Sequence, residues 1–282
     1  MAKEHTKIED YAFLSDTQTG ALVSRDGCVD WLCFPRFDSP ACFASLVGDK
    51  ENGHWRFFLE ENVEATRRRY RGETLILETE IETKSGAVRL IDFMPPRGEN
   101  PDIVRIIEGV RGKVSMQMEL IVRFDYGQIV PWVRRRKQHE GLEAIAGPDG
   151  LILRTPVETC GKDLTTVAEF SVAKGDRIPF VLTWFESHKD PPRKIHADHA
   201  LRREHACGLL ERLAHRAFLG RFARVQVTGR RVQAQSLGGV LLDQQVAACI
   251  LDDGRDGDVG FPASAHLTIL KVNGRRLATW FV

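Results

Sequence analysis

In "TLILETEIET" (74–83), Leu75, Leu77, Thr79 and Ile81 fall on one side of an extended chain, and Ile76, Glu78, Glu80 and Glu82 fall on the other. A period of two with one mostly polar side predicts a half-buried antiparallel strand. Short apolar or alternating runs of this kind recur over residues 11–190: "GALVSRDGCVDWLCF", "HWRFFLE", "AVRLIDFM", "DIVRIIEGV", "VSMQMELIVRF", "GLILRTPV", "TTVAEFSV" and "IPFVLTWF". Between them stand "RDG", "ENG", "KSG", "PPRGENPD", "GPDG" and "AKGD", which suit tight turns. The strands do not alternate with helices, so a parallel α/β sheet is not expected. The predicted fold is mainly β, an antiparallel β-sandwich of many short strands over residues 1–195.

The pattern changes after "KDPPRK" (189–194), where the proline pair should stop the last strand. Ala206, Leu210, Leu213 and Ala217 follow at helical steps and form one apolar stripe, which predicts a linker helix over 196–220. Gly208 weakens it and Gly220 suits its C-cap. Residues 221–282 give no clear periodicity and are expected to be an irregular or disordered tail. "DDGRDGDVG" (252–260) resembles a calcium loop only superficially: its twelfth position is Ala263 where a closing Glu is needed. An acidic loop is the simpler expectation.

Composition narrows the function. With 40 basic and 39 acidic residues, the chain does not favour nucleic acid or an anionic membrane through bulk charge. No apolar run is long enough for a transmembrane helix, and "MAKEHTKIEDYAF" lacks the apolar core of a signal peptide. A cytoplasmic location is expected, with reduced thiols at Cys28, Cys33, Cys42, Cys160, Cys207 and Cys249. The basic runs "TRRRYRG" (66–72) and "WVRRRKQ" (132–138) lie near acidic residues and read as solvated faces. No metalloprotease helix, nucleophile elbow, phosphate loop or dinucleotide fingerprint is present.

The densest chemistry lies in "DGCVDWLCFPRFDSPACF" (26–43). Its three cysteines fall short of the four ligands of a structural zinc site, and small buried thiols are the simpler reading. Trp31 and Phe34 could stack on a sugar while Arg36, Asp38 and Ser39 bind its hydroxyls. Equally, Pro35 and Pro40 could end a strand, with "FDSP" forming a turn in which Asp38 bonds the backbone. Glycoside hydrolysis needs two carboxyls about 5–9.5 Å apart, and nothing in 11–190 singles out such a pair.

The stretch "IEDYAFLSDTQTGALVSRDGCVDWLCFPRFDSPACFASLVGD" (8–49) resembles the N-terminal signature of bacterial glycoside hydrolase family 15, the trehalase and glucoamylase-like group. The likeness continues through "IDFMPPRG" (91–98), "FDYGQIVPWV" (124–133), "GPDGLILRTPV" (147–157), "DLTTVAEFSVAKGDRIPFVLTW" (163–184) and "HADHAL" (196–201), covering roughly residues 8–203. The resemblance implies an N-terminal antiparallel sandwich, a linker helix and an (α/α)6 barrel. It further implies inverting hydrolysis of α-glucosidic bonds in trehalose or maltooligosaccharides by an acid Glu and a base Glu of the barrel. Some trehalases of the group use phosphate and magnesium; no site for either is identifiable here.

The departures carry equal weight. No counterpart of the barrel motif "RNWDYR…WLRDA" or of the base-Glu segment is found, and "GLLERLAHRAF" stands where the family has a Trp-rich stretch. A frameshift near codon 205 would explain both this and the Arg-rich, Tyr-free tail. The expectation is therefore a truncated, inactive glycosidase without catalytic residues of its own. Trp31, Arg36, Asp38 and Ser39 would bind substrate or dock a barrel. The alternative is a stand-alone carbohydrate-binding or docking module, taking a glucoside such as trehalose or a maltooligosaccharide, or a helical barrel domain. An uncovered sandwich face would favour self-association.

Overall fold

A computed structural model describes residues 7–136 and 140–206, together with the backbone of three strands in 248–281. The chain divides into two compact units, Met1–Gly208 and Leu209–Val282.

The first unit is built from β1 (Ala12–Ser15), β2 (Gly20–Val23), β3 (Val29–Cys33), β4 (Ala41–Phe43), β5 (His54–Leu59), β6 (Val63–Tyr70), β7 (Leu77–Thr83) and β8 (Gly86–Phe93). These are followed by β9 (Asp102–Ile121), β10 (Trp132–Arg136), β11 (Gly141–Ala146), β12 (Asp149–Arg154), β13 (Cys160–Lys162), β14 (Thr165–Ala173) and β15 (Arg177–Glu186), and then by helix α1 over 197–206. All strand pairings are antiparallel, as the turn signals and alternation predict.

Two sheets share the long strand β9. Its first half lies between β8 and β15 in the order β6-β7-β8-β9-β15-β12-β11-β10. Its second half lies between β5 and β14 in the order β1-β2-β3-β5-β9-β14-β13, with β4 on β3. The sequence reads as two strands here, "DIVRIIEGV" and "VSMQMELIVRF". The structure instead carries one bent strand from sheet to sheet. A register shift at Ala87/Val88 leaves an extra residue at the bend, a usual way for a strand to change sheets. The β14–β15 hairpin folds over the bend. Gly175 N–H donates to the Gly109 carbonyl, Lys174 N–H donates to that of Gly112, and Gly109 N–H donates to that of Asp176. Gly112 has φ +62°, where a side chain is strained.

Alternation then builds the core. Leu14, Val23, Leu32, Phe57, Met116 and Met118 from one sheet meet Val88, Leu90, Ile103, Ile107, Phe180 and Leu182 from the other. Phe57, Phe170 and Phe180 join the layers with ring centroids 4.8–6.4 Å apart. Ile91, Phe93, Val104, Ile106 and Val181 point the opposite way and are covered by Ala197, Ala200 and Leu201 of α1. This half of the predicted linker helix therefore closes an outer sheet face that would otherwise be apolar and open.

The two basic runs, read as solvated faces, lie on strands. Arg69 of β6 and Arg71 just after it grip the buried Glu78 at 2.9 and 2.6 Å, and Arg67 of β6 reaches Glu82 at 3.0 Å. Burial pushes the Glu78 carboxyl up, but the Arg71 and Arg69 guanidinium groups outweigh it and hold it below its usual value. In β10, Arg134 and Arg136 both bond the buried Glu143 at 2.9 Å. The expected proximity to acidic residues thus takes the form of cross-strand pairs on edge strands, where charge also discourages pairing with another chain.

In the second unit β16 (Ala248–Cys249) pairs with β18 (Arg275–Phe281), which pairs in turn with β17 (His266–Val272). The acidic segment 252–260, Cys207 and the helix stripe beyond Ala206 lie outside the described residues.

Candidate functional site

Trp31 projects half-buried from β3 against Cys33, Ala41 and Ala44. Its ring lies 6.0 Å from that of Tyr126, tilted by 42°. Tyr126 belongs to the 3-10 turn Asp125–Gly127, where Asp125, Tyr126 and Gly127 all take positive φ. Asn52 ties this turn down, its side-chain amide donating to the Tyr126 carbonyl at 3.0 Å. A Cβ on Gly127 would come within 2.4 Å of that same amide, so glycine is needed there.

The segment after β3 carries the other three residues read from the sequence. The Phe34–Pro35 peptide is cis. Arg36 N–H donates to Ser39 Oγ and Ser39 N–H donates to the Arg36 carbonyl, each at 3.1 Å. Arg36 Nε donates to Asp38 Oδ1 at 2.9 Å, and this hydrogen bond holds the Asp38 carboxyl below the usual range. The turn is therefore as predicted in place: Asp38 bonds its own backbone N–H as well as the Arg36 guanidinium, and Ser39 also bonds the backbone. The exposed Arg36 and Asp38 form one unit with the half-buried Ser39. Trp31 stands apart from it in its pairing with Tyr126. Phe37, at the loop's tip, stacks on Phe13 with centroids 6.5 Å apart and planes 15° apart. Both rings are exposed.

Cys28, Cys33 and Cys42 are buried free thiols, in line with the packing reading. Burial pushes all three upward, Cys33 to about 11, which leaves them as unreactive thiols. Cys160 is exposed.

Beneath the loop lies a polar cluster that sequence reasoning missed. Asp16 is buried. Its Oδ1 caps its own turn by accepting from Gln18 and Thr19 N–H at 3.0 and 2.8 Å, and its Oδ2 accepts from Arg97 Nε at 2.7 Å. Arg97 also reaches Gln18, whose carbonyl accepts Phe37 N–H. The signal was present as an Asp opening "SDTQTG", although its arginine lies 81 positions away. Asp102, at the start of β9, accepts from the Thr183 hydroxyl. Burial pushes its carboxyl up to about 6, against the pull of Thr183 and Arg154, and with Asp16 adding to the rise.

That shift has a defined sign. Between about pH 4, the unfolded value, and about pH 6, the unfolded chain has lost a proton that the folded chain retains. The contribution of Asp102 to stability is therefore full below this window and is lost as pH rises through it. Asp102→Asn should remove that part of the pH dependence. Urea midpoints of the two proteins measured across this range should diverge, the wild type weakening relative to the variant as pH rises; parallel profiles would contradict the assignment.

Four of the buried carboxylates are committed to guanidinium partners: Asp16 to Arg97, Asp92 to Arg105, Glu78 to Arg69 and Arg71, and Glu143 to Arg134 and Arg136. A cleft of about 390 Å³ opens among β9, β11, β12 and β14, with Trp132 on its lip.

The fold defines a class, an antiparallel β-sandwich module closed by one helix. Within that class the sequence model of the trehalase-like N-terminal domain matches residues 1–206, and the chain belongs to that family, which is of glycoside-hydrolase type. It is 29% identical over 182 residues to a trehalase of Thermoplasma volcanium, covering 62% of this chain and 27% of the relative. It is 30% identical over 220 residues to a trehalase of Mycobacterium tuberculosis, covering 68% and 32%. A trehalase of Mycolicibacterium smegmatis is 44% identical over 141 residues, covering 43% and 21%. The chain therefore spans a third or less of the length of these curated relatives. Among the described residues no helix is long and apolar enough to cross a membrane.

Proposed function

We propose that residues 7–206 form the accessory sandwich of a family 15 glycoside hydrolase-type protein of the trehalase or glucoamylase kind, and that this sandwich docks a helical catalytic barrel without hydrolysing glucosides itself. The observation that carries the reading is the family match over 1–206 to proteins three to five times the matched length. Support comes from the guanidinium partners of Asp16, Asp92, Glu78 and Glu143, which leave these four carboxylates poorly placed to protonate a leaving group. The exposed Phe13–Phe37 stack beside the Arg36–Asp38 pair offers a rigid aromatic contact with a polar rim, the composition of a docking surface.

The full chain, assayed for glucose release from trehalose and from maltose with and without phosphate and magnesium, is expected to show no turnover above a blank. Reproducible turnover in independently purified batches would overturn the proposal.

A second reading is a carbohydrate-binding module, favoured by the same exposed aromatic pair. It predicts saturable heat on titration with trehalose or maltose, weakened in Trp31→Ala and Phe37→Ala proteins of unchanged circular dichroism. Flat titrations leave only docking.

A further inference from the structure

Arg123 has no role in the docking reading. It follows β9, its N–H donating to the Cys42 carbonyl at 3.2 Å, and it is 5% exposed. Its Nη1 donates to the carbonyls of Val122 at 2.8 Å and Leu164 at 3.3 Å. The buried guanidinium groups of Arg97 and Arg105 each hold a carboxylate, at 2.7 and 2.9 Å. Arg123 forms no ion pair with any described residue. The one carboxylate that favours its charged form is Glu51, which pairs with Lys50. Buried charges are ordinarily paired, because desolvation is costly without a counter-charge.

This cation lines the 390 Å³ cleft. The floor is hydrocarbon from both sheets: Leu120, Leu142, Ala144, Leu151, Leu153 and Leu182. Trp132, 71% exposed, and Leu164, 73% exposed, stand at the mouth with Lys162 and Asp163. The volume falls within the range of small-molecule sites, and a mainly apolar lining with one fixed polar anchor is their usual composition. A glucoside fits poorly, since hydroxyls on such a floor would lose water without gaining partners.

We propose that this cleft binds a small amphipathic carboxylate, with its hydrocarbon body on the leucine floor and its carboxylate against Arg123. The guanidinium fork matches a carboxylate in geometry, and the carboxylate supplies the counter-charge that Arg123 lacks. Lys162 at the mouth offsets the exposed Asp163 that an incoming anion would meet. The site is distinct from the aromatic loop, so its success or failure is independent of whether the chain docks a barrel or turns over trehalose.

Calorimetric titration of the full chain with octanoate, decanoate, decanol and trehalose tests the proposal. Decanoate should bind saturably, and tighter than octanoate by about fourfold per methylene. Decanol should bind at least about tenfold weaker, and Arg123→Gln should bring decanoate down to the level of decanol. Because Arg123 also bonds two carbonyls, Trp132→Ala at the exposed lip provides a variant with little risk to folding. It should weaken decanoate by about fivefold. Unsaturable decanoate, equal binding of decanoate and decanol, an unchanged constant in Trp132→Ala, or displacement of decanoate by trehalose would each overturn the assignment.

Discussion

Arg105→Met is expected to destabilise the sandwich by about 3–5 kcal/mol. Arg105 sits on β9 between the two sheets, on the same face as Ile103 and Ile107, and both it and Asp92 are fully buried. Its Nε and Nη2 donate to the two Asp92 oxygens at 2.9 and 3.1 Å, Nη1 donates to the Trp55 carbonyl at 2.8 Å, and Nη2 also bonds the Gly27 carbonyl. Its guanidinium carbon lies 5.2 Å from the ring centroid of Trp55 and 4.8 Å from that of Phe57. One side chain thus anchors β8, β5 and the turn after β2 to the centre of the molecule. Methionine would fill much of the volume but would leave Asp92 as an uncompensated buried charge and two carbonyls without donors. The double variant Arg105→Met/Asp92→Leu separates these costs. It should recover most of the loss, because an apolar pair of similar volume replaces a desolvated ion pair at little or no cost. Urea midpoints followed by tryptophan fluorescence measure both. A single-variant loss below about 1 kcal/mol would show that the pair contributes little.

The contrast between Arg105 and the rest of β9 shows where sequence reading succeeds and where it stops. Alternation of Ile103, Ile107 and Val104, Ile106 is legible because the pleat sorts residues by parity. Arg105 breaks that parity, and the reason is Asp92, which lies on another strand and takes no part in local periodicity. Similarly "TRRRYRG" and "WVRRRKQ" hide β6 and β10, because their partners Glu78 and Glu143 satisfy them across strands. The continuity of β9 across its bend was not legible, because its two halves read as separate strands; the hydrogen bonds from the 174–176 hairpin hold the bend. At the candidate site, the position of the turn at 36–39 was legible from its prolines and short polar residues. The pairing of Trp31 with Tyr126 was not, since the two are brought together by the Asn52 buckle. The cleft had only a faint signal, the apolar run Ile129, Val130, Trp132 and Val133 beside a proline, with no polar alternate residue to mark a strand. Arg123 becomes conspicuous only once the carboxylates near other buried arginines are located and none is found paired with it.

The bend itself supplies the second large effect. Gly109→Val is expected to abolish cooperative unfolding of the sandwich or to cost more than about 3 kcal/mol. A Cβ on Gly109 would lie 1.9 Å from the Ala173 carbonyl oxygen and 2.6 Å from its carbon. These are backbone atoms of β14, so no rotamer change relieves the overlap. To make room, the β14–β15 hairpin would have to lift off β9, and the hydrogen bonds Gly175 to Gly109 and Gly109 to Asp176 would be lost with it. β9 is the strand common to both sheets, so strain at this residue loosens Ile107 on one side and Val114 on the other, both fully buried. Two further glycines isolate the cause. Gly175 has φ +90° but nothing within 4 Å, so Gly175→Ala should cost only the roughly 1 kcal/mol of a left-handed alanine. Gly98→Ala meets nothing within 4 Å and should be near neutral. Thermal and urea unfolding of the three variants should therefore rank Gly109 far above Gly175, and Gly175 above Gly98. If Gly109→Val unfolds with the midpoint of Gly98→Ala, the hairpin is free to move away from β9, and the bend is not held by close backbone packing.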